Sequence, residues 1–300
     1  MSLDVICVGT VTLDTIAVAR RLPSGDDRVV AEPFVVAGGG PAATAAVALA
    51  RLGASVGFCG VVGDDEAGQR SRQLLADEGV DVRWLRTRRG ARTAQSMVVV
   101  SETEGTRMII TSPSAPLDPD AVPVSASRWL HVDQAGYPAA RAALSGRSDE
   151  VRLSIDGGNP IPGLDLGHAT LYAPTTRTLR EAFPATDLAG SLRAAAAAGA
   201  QNVVATDGAN GSYVLVDGAA VHVPAPAVEP LSTMGAGDVF HGALLAALLG
   251  GQTLVEATRW ANAVAAVSCR ALDGRSGIAD FAEAGRYLSA ALPAPRAEHA

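Results

Sequence analysis

Hydrophobic and polar positions fall in blocks along this chain, and the blocks change period. DVICVGTV, residues 4–11, is a short apolar run broken by glycine and predicts a buried strand, with Asp14 following at its end. Residues 15–36, TIAVARRLPSGDDRVVAEPFVV, set short β-branched pieces around a Pro-Ser-Gly-Asp-Asp turn, which predicts a hairpin outside the main core. In AGGGPAATAAVALARLG three glycines lead into Pro41, a residue suited to a first helical turn. The helix runs to Arg51 or Leu52, and Gly53 stops it. SVGFCGVVG is another buried strand, and DDEAGQRSRQLLADEG is an amphipathic helix with acids at its start. AQSMVVVSETEGTRMIITSP predicts a second hairpin turning at Glu104-Gly105. SRWLHVD and VRLSIDGG are strands ending at Asp133 and Asp156, with a helical PAARAALSG between them. LAGSLRAAAAAGA is a helix, QNVVATDG a strand, and SYVLVDGAAVHVPA a hairpin turning at Asp217-Gly218. A helix from near Gly237 or Asp238 to Leu249 is followed by two more, at about 253–272 and 280–291.

Strand and helix alternate through most of this order, which predicts an α/β fold: a doubly wound, mostly parallel sheet covered on both faces. The two early hairpins break the alternation and predict a small β-sheet lid. The expected division is an α/β body of residues 1–14, 37–92 and 114–292, a lid of residues 15–36 and 93–113, and a tail at 293–300.

Composition narrows the partners. Apolar residues make up 48% of the 300 positions and charged residues 18%, enough for a sizeable core. The formal charge is −7, the arginines are scattered, and aromatic residues are 4%, which argues against nucleic acid or an anionic membrane as partner. Cys7, Cys59 and Cys269 lie far apart in apolar contexts and read as buried reduced thiols. The N-terminal MSLDVICVGTVTLD has an acid at position 4 and no long apolar core, so a cytoplasmic location is expected.

The stretch with the clearest chemistry is LSTMGAGDVFHGALLAALLGG, residues 231–251. A helix start leaves backbone N–H groups unpaired and carries partial positive charge. Gly235 and Gly237 have no Cβ, so a bulky anion can approach the backbone there, with Asp238 beside it. The plain alternative is a first-turn acid with no further function.

The stretches AGGGPAATAAVALARLGASVGFCGVVGDDEAGQ and STMGAGDVFHGALLAALLGG, in this order and spacing, resemble the two signatures of the ribokinase-like, or PfkB-type, carbohydrate kinases. The resemblance spans essentially the whole chain. It implies transfer of the γ-phosphoryl group of ATP to a hydroxyl of a sugar, with ATP and Mg2+ required. Carried over by position, Asp238 is the catalytic base, and the backbone of Gly235, Ala236 and Gly237 is the anion hole. Asp14, Gly39 and Gly40 match sugar-binding positions, joined by Arg28, Arg107 and Thr111 from the lid. Thr206, Gly208 and Gly211 match the nucleotide-side turn, and Asn262 and the segment around Gly274 fall at the adenine pocket. A homodimer through the lid is the expected assembly. Phosphoryl transfer suits these residues, since it needs positioning and charge stabilisation more than covalent help.

Within the family the motifs look closest to sulfofructose kinases, with ketohexokinases more distant. Thr111 stands where that branch has asparagine, Gln134 in place of its sulfonate-side arginine, and Arg28 in place of its lid lysine. The expected acceptor is therefore a ketose-like sugar other than sulfofructose. Ser232 replaces the aspartate that opens the second signature, which puts a monovalent-cation site in doubt. Thr175 and Thr178 occupy the N-x-x-E element that organises magnesium, and Thr44 replaces a common asparagine. These changes leave open a degenerate member that binds nucleotide or sugar with little catalysis. A Rossmann-type oxidoreductase is disfavoured, because GGGPAA lacks the G-x-G-x-x-G order. The histidines show no metal-ligand spacing, and no metal-binding residues are assigned. His241, Asp133 and Asp156 read first as helix-face or capping residues.

Overall fold

The computed structural model describes residues 2–103, 106–147 and 151–291. The Glu104-Gly105 turn and the 293–300 tail lie outside the described residues. Along the chain the strands are β1 (Leu3–Val8), β2 (Thr12–Ala19), β3 (Ala31–Gly39), β4 (Val56–Gly63), β5 (Asp81–Arg88), β6 (Gln95–Ser101), β7 (Arg107–Thr111), β8 (Ser127–Val132), β9 (Arg152–Gly157), β10 (Ala169–Pro174), β11 (Val204–Thr206), β12 (Ser212–Val216) and β13 (Ala219–Val223). The α-helices are α1 (Pro41–Arg51), α2 (Glu66–Asp77), α3 (Tyr137–Ala143), α4 (Thr176–Ala182), α5 (Leu188–Ala197), α6 (Ala236–Leu249), α7 (Leu254–Ser268) and α8 (Phe281–Ala291).

The body is built on a six-stranded sheet in the order β10-β9-β8-β1-β4-β5, and every pairing in it is parallel. The near-continuous burial of β1, β4, β8 and β9 follows from helices covering both faces. One core cluster joins α1, α6 and α7 to one face, and a second joins α3 and α5 to the other. Three antiparallel strands, β11-β12-β13, extend the body through single parallel bridges Tyr172–Val203 and Thr175–Thr206. The two-residue turn between β12 and β13 takes positive φ at both Asp217 (48°) and Gly218 (78°), as a tight hairpin requires.

The lid is a four-stranded sheet in the order β3-β2-β6-β7. β2 and β6 pair in parallel and join the two hairpins into one sheet. Asp14 moves with this result. Sequence placed it at the end of the first strand, but that strand closes at Val8, and Asp14 sits inside lid strand β2. Gly9 ends the first strand, with the Asp133 carboxylate filling the space its Cβ would need. The alternating burial of TLDTIAVA then turns Asp14 inward.

Two helix starts are brought together by small residues. At Gly242 a Cβ would lie 2.5 Å from the carbonyl oxygen of Ala45 and 2.7 Å from the Cβ of Ala48. The bare backbone of α6 therefore rests on the alanine face of α1. This close approach sets the first turn of α6, with Asp238, beside the Gly39-Gly40 entry to α1.

Candidate active site

The turn into α6 is fixed from behind. Leu231 and Ser232 donate their N–H groups to the carbonyl of Cys269 at 2.8 and 3.1 Å, and the Ser232 hydroxyl accepts from the N–H of Met234 at 3.1 Å. Gly235 then takes the left-handed conformation, φ 72°. Its hydrogen faces Gly274, whose Cα would lie 2.8 Å from an added Cβ. Glycine is thus needed for both conformation and space. The N–H of Ala236 turns back weakly to the carbonyl of Thr233 at 3.4 Å, whereas those of Gly237 and Asp238 have no partner among the described residues. The donors left open at this helix start are therefore those of Gly237 and Asp238, and Gly235 shapes the turn.

Asp238 is half-buried. Burial and then the charge of Asp156 push its pKa up, to about 8, while His241 and Arg275 oppose the rise. Asp156 and His241 form a buried ion pair at 3.0 Å. His131 stacks beside it at 5.5 Å between ring centroids, with Nδ1 on the Ser154 hydroxyl at 3.0 Å. Burial pushes His131 down to about 3, so it is neutral, whereas Asp156 draws His241 above its ordinary value against its own burial. The candidate ligand atoms of His131, Asp156 and His241 lie within 4.8 Å of one another. Sequence spacing gave no sign of this cluster, since its members come from β8, β9 and α6. Asp133 caps rather than faces a ligand: its carboxylate accepts from the N–H groups of Thr10 (2.7 Å), Ala42 (3.3 Å), Ala135 (2.9 Å) and Gly136 (2.9 Å).

Opposite this floor, the lid presents a polar row. Asp14, Ser96 and Thr111 are register neighbours across β2, β6 and β7. Asp14 is 3% exposed, and its Oδ1 has no hydrogen-bond partner among the described residues. Burial raises its pKa, while the hydroxyls of Thr12 and Ser96 and the charge of Arg275 pull it down. Ser96 donates to the Thr111 hydroxyl at 3.3 Å. Arg107, at the start of β7, reaches from the lid to the Thr233 hydroxyl at 2.5 Å, next to the α6 turn. The space that a Cβ on Gly39 would need is filled by Asp14, and at Gly40 (φ 94°) by the carbonyl of Thr10. The missing side chains of this run thus admit protein groups. Arg28 is not brought into the site; it lies exposed in the β2–β3 connection and has no hydrogen bond or ion pair to the described residues. Gln134, just beyond β8, accepts from Asn159 at 3.4 Å.

The turn that the family resemblance assigns to the nucleotide follows β11. Thr206 ends that strand, and Gly208 (φ 57°) and Gly211 (φ 96°) bracket a single helical turn. Asp207, not singled out from sequence, accepts from Thr176 at 2.8 Å and Asn210 at 3.0 Å. Asn262 accepts from Ser212 at 2.7 Å and donates to the carbonyl of Val223 at 2.9 Å, which ties α7 to the small sheet. Gly274 packs on Gly235 in the turn into α6. Thr175 caps α4, its hydroxyl 2.8 Å from that of Thr178, and Thr178 donates to the carbonyl of Gly158 at 3.2 Å.

The sequence profile described as pfkB family carbohydrate kinase matches residues 2–150 and 164–279. This chain belongs to that family. It is 26% identical over 297 residues to a ribokinase of Bacillus subtilis, covering 95% of this chain and 99% of the relative. It is 32% identical over 256 residues to a fructokinase of Klebsiella pneumoniae, covering 77% and 82%. A solved structure of a putative ribokinase II from E. coli in complex with ATP and Mg2+ shares the fold with a TM-score of 0.81, 20% identity and coverage of 96% and 99%. The protein is thus a carbohydrate kinase of ribokinase-like fold. ATP and Mg2+ are general requirements of such kinases. In this pfkB family kinase the Asp156 carboxylate, whose charge acts on Asp238, is a hard oxygen donor of the kind Mg2+ takes. The Thr175–Thr178 pair adds no charge to it. No helix among the described residues is long and apolar enough to cross a membrane.

Proposed function

We propose that this sugar kinase transfers the γ-phosphoryl group of ATP to a hydroxyl of a ketose-like sugar or sugar derivative. Asp238 takes the proton of the attacking hydroxyl as its oxygen bonds to phosphorus and the bond to the ADP oxygen breaks. The free N–H groups of Gly237 and Asp238, at the positive end of α6, hold the transferring oxygens. Bound Mg2+ would neutralise phosphate charge. Asp14 accepts hydrogen bonds from acceptor hydroxyls, with Ser96 and Thr111 beside it.

One observation carries the reading: an orphaned, buried Asp14 oxygen in the lid together with Asp238 in front of unpaired helix N–H groups. A buried carboxylate oxygen without a partner is costly unless a ligand hydroxyl supplies one. A raised pKa also suits a base working near neutral pH. Thr111 and Gln134 are neutral, so neither offers a charge to a sulfonate. The outer lid face carries exposed Val36 (58%), Met97 (56%) and Ile110 (58%) in cross-strand register, with Phe34 (70%) two residues before Val36 on the same strand, which supports a homodimer through the lid. We further place the enzyme in the cytoplasm.

The test is a coupled ADP-release assay over ribose, fructose, other aldoses and ketoses, their phosphates, sulfofructose and nucleosides. Turnover that is highest on a ketose supports the reading. Highest turnover on sulfofructose would overturn the roles given to Thr111 and Gln134. Nucleotide binding without turnover on any acceptor would favour the binding-protein alternative, which the neutral Ser232 and Thr175–Thr178 positions motivate.

A further inference from the structure

The glycine run at the end of β3 has a charge against each side. A Cβ on Gly39 would fall inside the Asp14 carboxylate, and a Cβ on Gly38 inside the Arg275 guanidinium. Successive strand residues face opposite sides, so Gly38-Gly39 is a thin partition with Asp14 in front and Arg275 behind. Arg275 is only 6% exposed. Its Nη2 donates to the carbonyl of Gly39 at 2.7 Å and its Nε to the Thr44 hydroxyl on α1 at 3.3 Å.

The loop that delivers Arg275 is itself held. Asp273 accepts from the N–H groups of Arg275 and Ser276, each at 2.7 Å. Arg51 donates to the carbonyls of Arg275 (2.8 Å) and Ile278 (2.9 Å). The charges facing the guanidinium are Asp14 from β2, Glu78 at the end of α2, Asp238 from α6 and Asp273 from its own loop. Two of these are already committed. Glu78 makes paired bonds to Arg51 at 2.6 and 2.8 Å, and Asp273 holds the loop. Asp14 and Asp238 remain, and each feels the positive charge of Arg275. Burial lowers Arg275 to about 10, so it is still charged at neutral pH.

We propose that Arg275 is a positioning residue of the acceptor site: from behind the Gly38-Gly39 partition it supplies the fixed positive charge that lets buried Asp14 meet the acceptor as a carboxylate, and its two bonds hold lid strand β3 against α1. This rests on the reading of Asp14 as the acceptor contact. A neutral Asp14 could no longer offer two accepting oxygens. Loss of the cation therefore acts on acceptor binding and leaves ATP binding in place.

The test titrates protein carrying 13Cγ-labelled aspartate, without nucleotide or sugar. The Asp14 signal is the one missing from Asp14→Asn. In Arg275→Gln the Asp14 midpoint is expected to rise by about one unit or more, the usual effect of removing a nearby opposite charge, and in Arg275→Lys to return most of the way. A midpoint in Arg275→Gln equal to or below that of the wild type overturns the proposal, because an arginine that only braced the loop would leave it there. If Arg275→Gln does not fold, Gly38→Ala replaces it; that variant keeps the arginine but displaces its guanidinium, with the same rise expected and the same contrary result. With D-fructose as probe, the acceptor KM should rise at least tenfold in Arg275→Gln and in Asp14→Asn, with the KM for ATP within twofold of wild type. An unchanged KM in Asp14→Asn would overturn the acceptor reading itself. A raised KM in Asp14→Asn with a flat titration in Arg275→Gln would remove Arg275 alone.

Discussion

Replacing Gly235 by alanine places two separable strains on the turn into α6, the proposed anion hole. The backbone there is left-handed, φ 72°, which costs an L-residue about 1–2 kcal/mol. The new Cβ would also sit 2.8 Å from the Cα and 3.1 Å from the carbonyl oxygen of Gly274, well inside normal contact. Overpacking of this kind costs about 1–3 kcal/mol, because the Gly274 loop is pinned by Arg51 and Asp273 and cannot move aside freely. The sum is about 2–5 kcal/mol, a large part of the about 5–15 kcal/mol that holds a native protein together but not all of it. At roughly 2 °C per kcal/mol for a chain of this size, the melting midpoint should fall by about 4–10 °C. The folded variant should also lose turnover, because the N–H groups of Gly237 and Asp238 follow the turn. Displacing one such donor costs about 100- to 1,000-fold in kcat. Differential scanning calorimetry and steady-state kinetics on the same preparation read both effects. A midpoint within 2 °C of wild type together with an unchanged kcat would refute both the steric argument and the placement of the anion hole.

Gly39→Ala keeps a permitted backbone but drives a methyl into Asp14; the acceptor KM should rise about 10- to 100-fold, as expected for losing bonds to a charged group, with the KM for ATP unchanged. An equal rise in both constants would show a general disruption. The Asp156–His241 pair has a defined pH window. Asp156 is held below its ordinary value and His241 above it, so the pair contributes from the Asp156 titration upward, in full below the unfolded histidine value, and fades as pH rises through the folded value of His241. The melting difference between wild type and His241→Asn should therefore be larger at pH 6 than at pH 9, and the reverse order would show that the pair is neutral. Rates in potassium and in a bulky organic cation at matched ionic strength should be similar, because Ser232 brings a neutral hydroxyl that is already bonded to the N–H of Met234. A large potassium-specific increase would contradict this.

What the sequence made legible was local. The Asp217-Gly218 hairpin and the Pro41 and Gly53 limits of α1 follow from turn and cap chemistry carried by adjacent residues. The GAGD turn into α6 is legible for the same reason. Strand β5, DVRWLRTR, was missed because an edge strand carries arginines and shows little apolar signal. The short α4 was missed because TRTLREA is one face of charges with a single buried leucine. The parallel β2–β6 pairing joins residues some eighty positions apart, so no local pattern reveals it.

The site divides in the same way. Asp238 and the glycines before it were readable from their own helix start. Asp14 was singled out by the family resemblance but placed on the wrong strand. The Asp156–His241 pair and the Arg275 guanidinium are products of tertiary packing. In DGRSG an arginine reads as a solvated loop charge, and only the fold shows it beneath Gly38. Asn262 and Arg28 were assigned to ligands through the family resemblance; in the fold the Asn262 amide bonds Ser212 and the Val223 carbonyl, and Arg28 lies in an exposed connection.

The central claim is that Asp238 takes the proton of the acceptor hydroxyl. The most direct test is the turnover of Asp238→Asn, measured beside its affinity for ATP by calorimetry. The substitution removes the base while keeping shape and the helix start. Turnover should fall by about 100- to 10,000-fold, the share of a general base, while ATP binds at least as tightly because a carboxylate has left the phosphate site. An asparagine variant that turns over within a few-fold of wild type would contradict the account.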